Sequence, residues 1–228
     1  MLIPFGPDIW IAEGPAVEGA MGFSFPTRMA AIRLSGGGLL AWSPIPLTDA
    51  LAGELAALGE VTQIIGPNHL HHLSLADWVE AFPAARLLGT EALVFKREDL
   101  AFDGVLGEAP DPAWARDIDQ VLLRGNRVTD EAIFFHRPSG TVLFTDLVQQ
   151  FGKDWFTGWR GVVAKLDYKT GPEPAVPRLY RIGFNDRKAA RASLARVLDW
   201  PAERVLMAHG TPVEADAQGF LQRAFAFL

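Results

Sequence analysis

Cysteine is absent from all 228 residues of this chain. Disulfides, thiolate metal ligands and cysteine nucleophiles are therefore excluded, and the absence fits a reducing compartment. Histidine is scarce, with five in the whole chain. There is no basic run, and 21 basic against 27 acidic residues leave a net charge of −6. That sign argues against a nucleic-acid partner. Arg187, Lys188, Arg191 and Arg196 do cluster, but as a solvated helix face would. No apolar run approaches the ~20 residues that a membrane helix requires. Met1 to Asp8 have neither the positive start nor the long apolar stretch of a signal peptide. The expectation is a cytoplasmic protein with no membrane partner. Ser43 and Ser139 lack the flanking pattern of a nucleophile elbow, which argues against serine-hydrolase chemistry. Gly36-Gly37-Gly38 is followed by neither lysine nor a helix start, so it reads as a hairpin turn and not a phosphate loop.

What is present is apolar and periodic. Hydrophobic residues make up 49% of the chain, enough for one sizeable core, and one domain over residues 1–228 is expected. Ile9 to Ala12, Met29 to Leu34 and Leu39 to Trp42 read as strands, the last two joined by the glycine turn. Leu47, Leu51, Leu55 and Leu58 repeat with helical period, with Thr48 as cap and Gly59 as stop. Val61 to Ile65 is a strand. Ser74 and Asp77 then approach a capping box for a helix from Leu75 to Phe82, closed by Pro83. Further strands are expected at Ala85 to Gly89, Val121 to Leu123, Ala132 to Phe135, Thr141 to Thr145 and Arg204 to Met207. A helix from about Asp186 to Leu198, capped by Asn185, precedes the last of these.

Three of the five histidines fall in Pro67-Asn68-His69-Leu70-His71-His72, just past a strand. Neutral imidazoles grouped at a strand end are suited to a borderline metal. Asn126, Asp146 and His209 also lie just past strands, which puts all of these groups on one rim of a sheet. His136 has no ligand spacing and reads as structural. Trp155 and Trp159, at helical spacing, read as core, and Arg28 and Arg160 as ordinary surface arginines. Residues 149–182 are irregular and hold Pro172, Pro174 and Pro177. Such a segment is expected to cover the metal-bearing rim or to form a subunit contact.

In order and environment these segments resemble the metallo-β-lactamase-like hydrolase superfamily, in a branch with a degenerate metal motif. That family carries His-x-His-x-Asp-His after a strand, then Gly-His, then Gly-Asp, then a late His-Gly. The helix from Leu75 to Phe82 and the step at Pro83 align His71-His72 with the closing Asp-His pair. His69 then takes the second histidine and Pro67 the first. A second register puts His69 and His71 on the first two histidines and leaves Leu73 and Ser74 in place of Asp-His. Thr145-Asp146 stands for Gly-Asp, His209-Gly210 for the terminal motif, Asn126 for the middle histidine, and Ser43 for an early aspartate.

The resemblance implies an α+β fold, a four-layer αββα sandwich. With Pro67 and Asn126 unable to ligate, it implies a single Zn or Fe ion held by His71, His72, Asp146 and His209. His69 becomes a weak fifth ligand or orients a ligand ring, and Asp146 and His72 carry the catalysis. Asn126 should face the vacated first-metal position, and Asn126 or Arg137 should donate to developing charge. The implied activity is metal-dependent hydrolysis of a small-molecule ester, thioester, lactone or phosphoester. The alternative is a degenerate, non-catalytic binding or scaffold protein. Loss of the di-metal ligands argues against di-iron redox chemistry, and a homo-oligomer is compatible with the sequence.

Overall fold

Two parallel strand pairs, one in each of two packed sheets, decide which loops of this chain meet. The computed structural model describes residues 1–228. The chain begins with strands β1 (Ile3–Gly6), β2 (Ile9–Glu18), β3 (Ser24–Arg33) and β4 (Leu39–Trp42), an antiparallel meander. The β3–β4 hairpin turns on Gly37 and Gly38, with φ of +100° and +80°, where a side chain would be strained. Helix α1 (Asp49–Leu58) follows, then β5 (Val61–Gly66), α2 (Leu75–Ala81), β6 (Arg86–Gly89), α3 (Glu91–Lys96) and β7 (Gly104–Val105). Strands β4 to β7 pair in parallel. Parallel neighbours need crossovers, and the three helices supply them.

The second sheet contains β8 (Ile118–Leu122), β9 (Ala132–His136) and β10 (Thr141–Phe144), followed by helices α4 (Gly158–Leu166), α5 (Arg178–Gly183) and α6 (Arg187–Leu198). Strand β11 (Arg204–Met207) and helix α7 (Ala217–Phe225) close the chain. Its strand order is β11-β10-β9-β8, and β10 and β11 are parallel.

Side-chain alternation along the strands builds three cores. Ala31, Leu39, Ala41, Ile64 and Leu87 face α1 to α3 and bury Leu51, Leu55 and Trp78. Their neighbours Ile32, Leu40, Trp42, Ile65 and Leu88 point the other way, onto Ile118, Phe134, Leu143 and Leu206 of the second sheet. The far face of that sheet packs Phe135, Val142 and Val205 against Leu194 of α6 and Phe220 of α7. The result is the αββα sandwich in four layers. No helix is long and apolar enough to cross a membrane.

Some local expectations need correction. Thr48 caps α1 as expected, accepting from the Leu51 amide at 3.2 Å. Ser74 makes no capping bond at α2, so the near capping box is not used. Helix α6 is capped by Asp186, which accepts from the Ala189 amide, and not by Asn185. Trp155 and Trp159 are half exposed and not core. Trp155 instead donates to the Ser24 carbonyl, and Trp159 meets the Phe23 ring edge-on.

His136 sits at the opposite end of β9 from the candidate rim, fully buried, with Nδ1 on Ser139 Oγ at 2.8 Å. Burial lowers its pKa to about 4, against the opposing charges of Asp117 and Asp8. The folded chain therefore takes up that proton less readily than the unfolded chain does. This contribution is intact above the ordinary pKa and is lost as pH falls from about 6.5 toward 4. We expect His136→Leu to flatten the acid limb of stability by roughly 2–3 kcal/mol in urea titrations between pH 7 and pH 4. An unchanged acid limb would contradict a buried neutral ring.

Candidate metal centre

Parallel pairing delivers the site. Ser43 follows β4 and the histidine run follows β5, so both leave the same edge of the first sheet. Asp146 follows β10 and His209 follows β11, leaving one edge of the second sheet together. Where the edges meet, ligand atoms of His71, Asp146 and His209 all lie within 4.8 Å of one another. His71 Nε2 is 3.2 Å from one oxygen of Asp146, and His209 Nε2 is 3.3 Å from the other. The His71 and His209 rings are tilted with centroids 5.2 Å apart.

The outer nitrogens decide the chemistry. His209 Nδ1 lies 2.6 Å from the Pro26 carbonyl, which can only accept, so Nδ1 carries the proton. His71 Nδ1 lies 2.7 Å from Ser43 Oγ, and that hydroxyl donates to the Arg28 carbonyl at 3.3 Å. With the hydroxyl donating to that carbonyl, His71 also carries its proton on Nδ1. Both Nε2 lone pairs then face carboxylate lone pairs. A bound cation, or a proton on each ring, is needed to make that arrangement favourable. Nδ1–H tied to an outer acceptor with Nε2 free is also how proteins orient metal-ligating histidines. The donor set therefore fits a metal ion. Two histidines and one carboxylate, leaving positions open, match catalytic zinc and non-haem iron more closely than a closed structural site.

Asp146 is held from several sides. Asn68 Nδ2 donates to one oxygen at 2.7 Å and Gln149 Nε2 to the other at 3.1 Å. Burial opposes its charge, but with a proton on each ring the charges and hydrogen bonds of His71 and His209 outweigh burial and hold the carboxyl well below its usual range. Asn68 is fully buried, and its Oδ1 also accepts from the Leu70 and His71 amides. One side chain thus fixes the backbone of one metal-ligand candidate and the carboxylate of another. Ser43 adopts φ +53°, an uncommon value for a non-glycine residue, at the point where its hydroxyl meets His71.

A family model described as a domain of unknown function, DUF4336, matches residues 8–155. The chain belongs to this family. The match includes His71 and Asp146, and His209 lies beyond it. No curated protein matches the sequence. Among solved structures, the DUF4336 chain is similar to a metallo-β-lactamase from Pontibacter korlensis. Identity is 12%, the TM-score is 0.64, and the match covers 100% of this chain and 97% of that one. A metallo-β-lactamase from Pseudomonas aeruginosa in its mono-zinc form aligns at 9% identity and TM-score 0.61, over 98% and 93% of the two chains. A metal-soaked flavodiiron core from Synechocystis aligns at 12% identity and TM-score 0.62, over 98% of this chain and 59% of that one. At such identities the likeness establishes the fold, which is that of the metallo-β-lactamases.

Two expected ligands of the DUF4336 chain lie outside the converging group. The His72 ring has Nδ1 at 3.4 Å from the Arg97 guanidinium, which also donates to the His72 carbonyl at 2.7 Å. Burial first, then the charges of Lys96 and Arg97, lower its pKa to about 4. His69 is turned to Asp130, with Nδ1 at 2.6 Å from the carboxylate that also accepts from its own amide. Of the four expected ligands and the fifth neighbour, the structure brings together His71, Asp146 and His209, while the His72 and His69 rings lie against Arg97 and Asp130. Asn126 does not offer its amide to a vacant metal position. Its Nδ2 donates to the Tyr180 carbonyl, and its Oδ1 accepts from Val128 and Thr129. Arg137 pairs with Asp119 beyond the far end of β9, away from Asp146.

Other residues at the site carry no motif. Arg28 is buried and is not a surface arginine. It donates to the Met207 and Gly210 carbonyls, both at 2.6 Å, and so fixes the two sides of His209. Glu131 accepts from the amides of Thr145, Asp146 and Leu147 and anchors the Asp146 loop. Residues 149–182 cover the rim. Val163, Leu166, Leu179 and Tyr180 line a cavity together with His71, Asp146 and His209.

Proposed function

We propose that this chain is a metal-dependent hydrolase of a small-molecule substrate, with one zinc or iron ion held by His71, Asp146 and His209. The observation that carries this reading is the pair of imidazoles whose outer nitrogens are tied to Ser43 and Pro26 while their inner nitrogens face one buried carboxylate. When bound, such an ion supplies a Lewis acid and a water acidified toward neutral pH. The protein's part is to hold the Asp146 carboxylate in place through Asn68 and Gln149, and to orient both rings through Ser43 and Pro26. Tyr180 lines the same cavity with a mostly buried ring. Burial and the charge of Asp146 raise its pKa, so its hydroxyl remains a donor for charge developing on a substrate oxygen. His72 also lines the cavity, as a neutral ring facing substrate. The net reaction adds water across an acyl bond. The acyl carbon gains the hydroxyl, and the leaving group takes the proton.

A second reading keeps the ion and omits the reaction. It is favoured by Asn126, whose amide is spent on backbone partners where a second metal would need a ligand. The two readings separate on purified protein from metal-replete culture. Elemental analysis is expected to find one zinc or iron per chain. Ester or thioester turnover is expected to disappear with chelator and return on adding the metal. Stoichiometric metal without turnover on any ester, thioester, lactone or phosphoester supports the second reading, and absence of metal overturns both.

A further inference from the structure

We propose that the cavity beside His71, Asp146 and His209 binds the aliphatic chain of an amphiphilic acyl compound, so that the substrate is a long-chain ester or thioester. For its chemistry this rests on the hydrolase reading; for binding it rests on the cavity alone. The cavity measures about 850 Å³, near the upper end of the range for small-molecule pockets and far more than an acetyl group needs. One wall is aromatic. Phe23 and Phe25 pack edge-on against Phe156 and Phe151, at centroid distances of 5.2 and 5.7 Å. Phe25 continues to the His209 ring at 5.9 Å, so the aromatic wall reaches the candidate metal ligands, with the Lys169 ammonium, paired to Asp167, over the Phe23 and Phe25 rings at 5.9 and 5.5 Å.

The rim is apolar and open to solvent. Met21, Leu73, Leu166 and Leu179 line the cavity yet are 73%, 63%, 59% and 56% exposed. They come from four separate segments, so no single amphipathic element accounts for them. Large apolar side chains gathered around a cavity mouth mark a binding surface. Charge narrows the class further. Glu18, Asp146 and Asp167 in the lining are balanced by Lys96, Lys169 and Arg178. Lys169 is already paired with Asp167 at 3.2 Å. A phosphoester or nucleotide site needs converging, uncommitted cations, and this lining has no excess of them. Of the four hydrolysable classes, the phosphoester does not fit, and carbonyl esters (lactones among them) and thioesters with an apolar chain do.

The test uses the full chain, as purified and after chelation. Saturated carboxylates from hexanoate to dodecanoate, below their micellar concentrations, compete with a fluorescent fatty-acid probe. Burial of each methylene is worth about fourfold in affinity at full effect. Dodecanoate is expected to bind at least ~10-fold tighter than hexanoate, with or without metal. Leu166→Asp and Met21→Asp, at exposed positions that leave the fold intact, should each weaken dodecanoate several-fold. Val105→Asp, an equally exposed change on β7, should not. Equal affinity across the series, or no response to either rim variant, overturns the proposal. p-Nitrophenyl acetate and laurate separate this outcome from the hydrolase reading. Chain-dependent binding without turnover upholds the cavity assignment and ends the hydrolase reading. Turnover with no preference for laurate and no chain-dependent binding does the reverse.

Discussion

Asp146→Ala is expected to lower metal affinity by at least ~100-fold, whereas His72→Ala and His69→Ala should leave one ion per chain. The magnitude is a lower bound, since removing only the partner of a ligand already costs about 10- to 100-fold. Asp146 is the one anion in the converging group, and each of its oxygens faces a different ring. Without it, two neutral imidazoles remain, with no charge to offset the dehydration of a divalent ion. The two control variants test the geometry. His72 meets Arg97 and His69 meets Asp130, so truncating either leaves the three donors untouched. Elemental analysis after desalting, with competition against a chromophoric chelator, gives both stoichiometry and affinity. Equal metal in wild type and Asp146→Ala would sink the metal centre. Loss of metal in His72→Ala would restore His72 as a ligand.

The meeting of His71, Asp146 and His209 is legible in the sequence because each follows a strand, and strand ends are fixed points of a sheet. The apolar runs ending at Ile65, Phe144 and Met207 mark those ends. Two consecutive histidines on an irregular loop are different. His71 and His72 have no period to assign their directions, and the deciding partners lie far along the chain. His72 is set by Arg97, 25 residues on, and His69 by Asp130, 61 residues on. Family spacing places His72 beside the ion, whereas in the folded chain its ring lies against the Arg97 guanidinium. Arg28 and Glu131 were invisible for the same reason. An arginine in an alternating strand reads as surface, and only the folded chain brings the Met207 and Gly210 carbonyls to it. The rim segment 149–182 was legible by position, through its length and prolines after Asp146. Its apolar mouth was not, because Met21 and Leu73 come from the other half of the molecule.

Glu131→Ala is expected to destabilise the chain by about 4 kcal/mol. Glu131 is fully buried at the entrance to β9. One oxygen accepts from the Thr145 amide at 2.7 Å, and the other from Asp146 and Leu147 at 2.8 and 2.9 Å. Burial, and then the charge of Asp146, raise its pKa to about 7, while the amides pull the other way. At pH 8 both oxygens are acceptors. Alanine leaves three buried amide donors unpaired, and each unpaired donor costs about 1–3 kcal/mol before the loop relaxes. For a chain of this length, that loss lowers Tm by roughly 8–16 °C. The loop bears Asp146, so metal affinity should fall together with Tm. Glu131→Gln keeps one acceptor oxygen and presents an NH₂ where the other stood, and should land between wild type and alanine on both scales. Differential scanning calorimetry with and without chelator separates the two effects, because the intrinsic loss persists in chelator and the metal-linked loss does not. A Glu131→Ala protein with wild-type Tm in chelator would show that the Asp146 loop does not depend on this carboxylate.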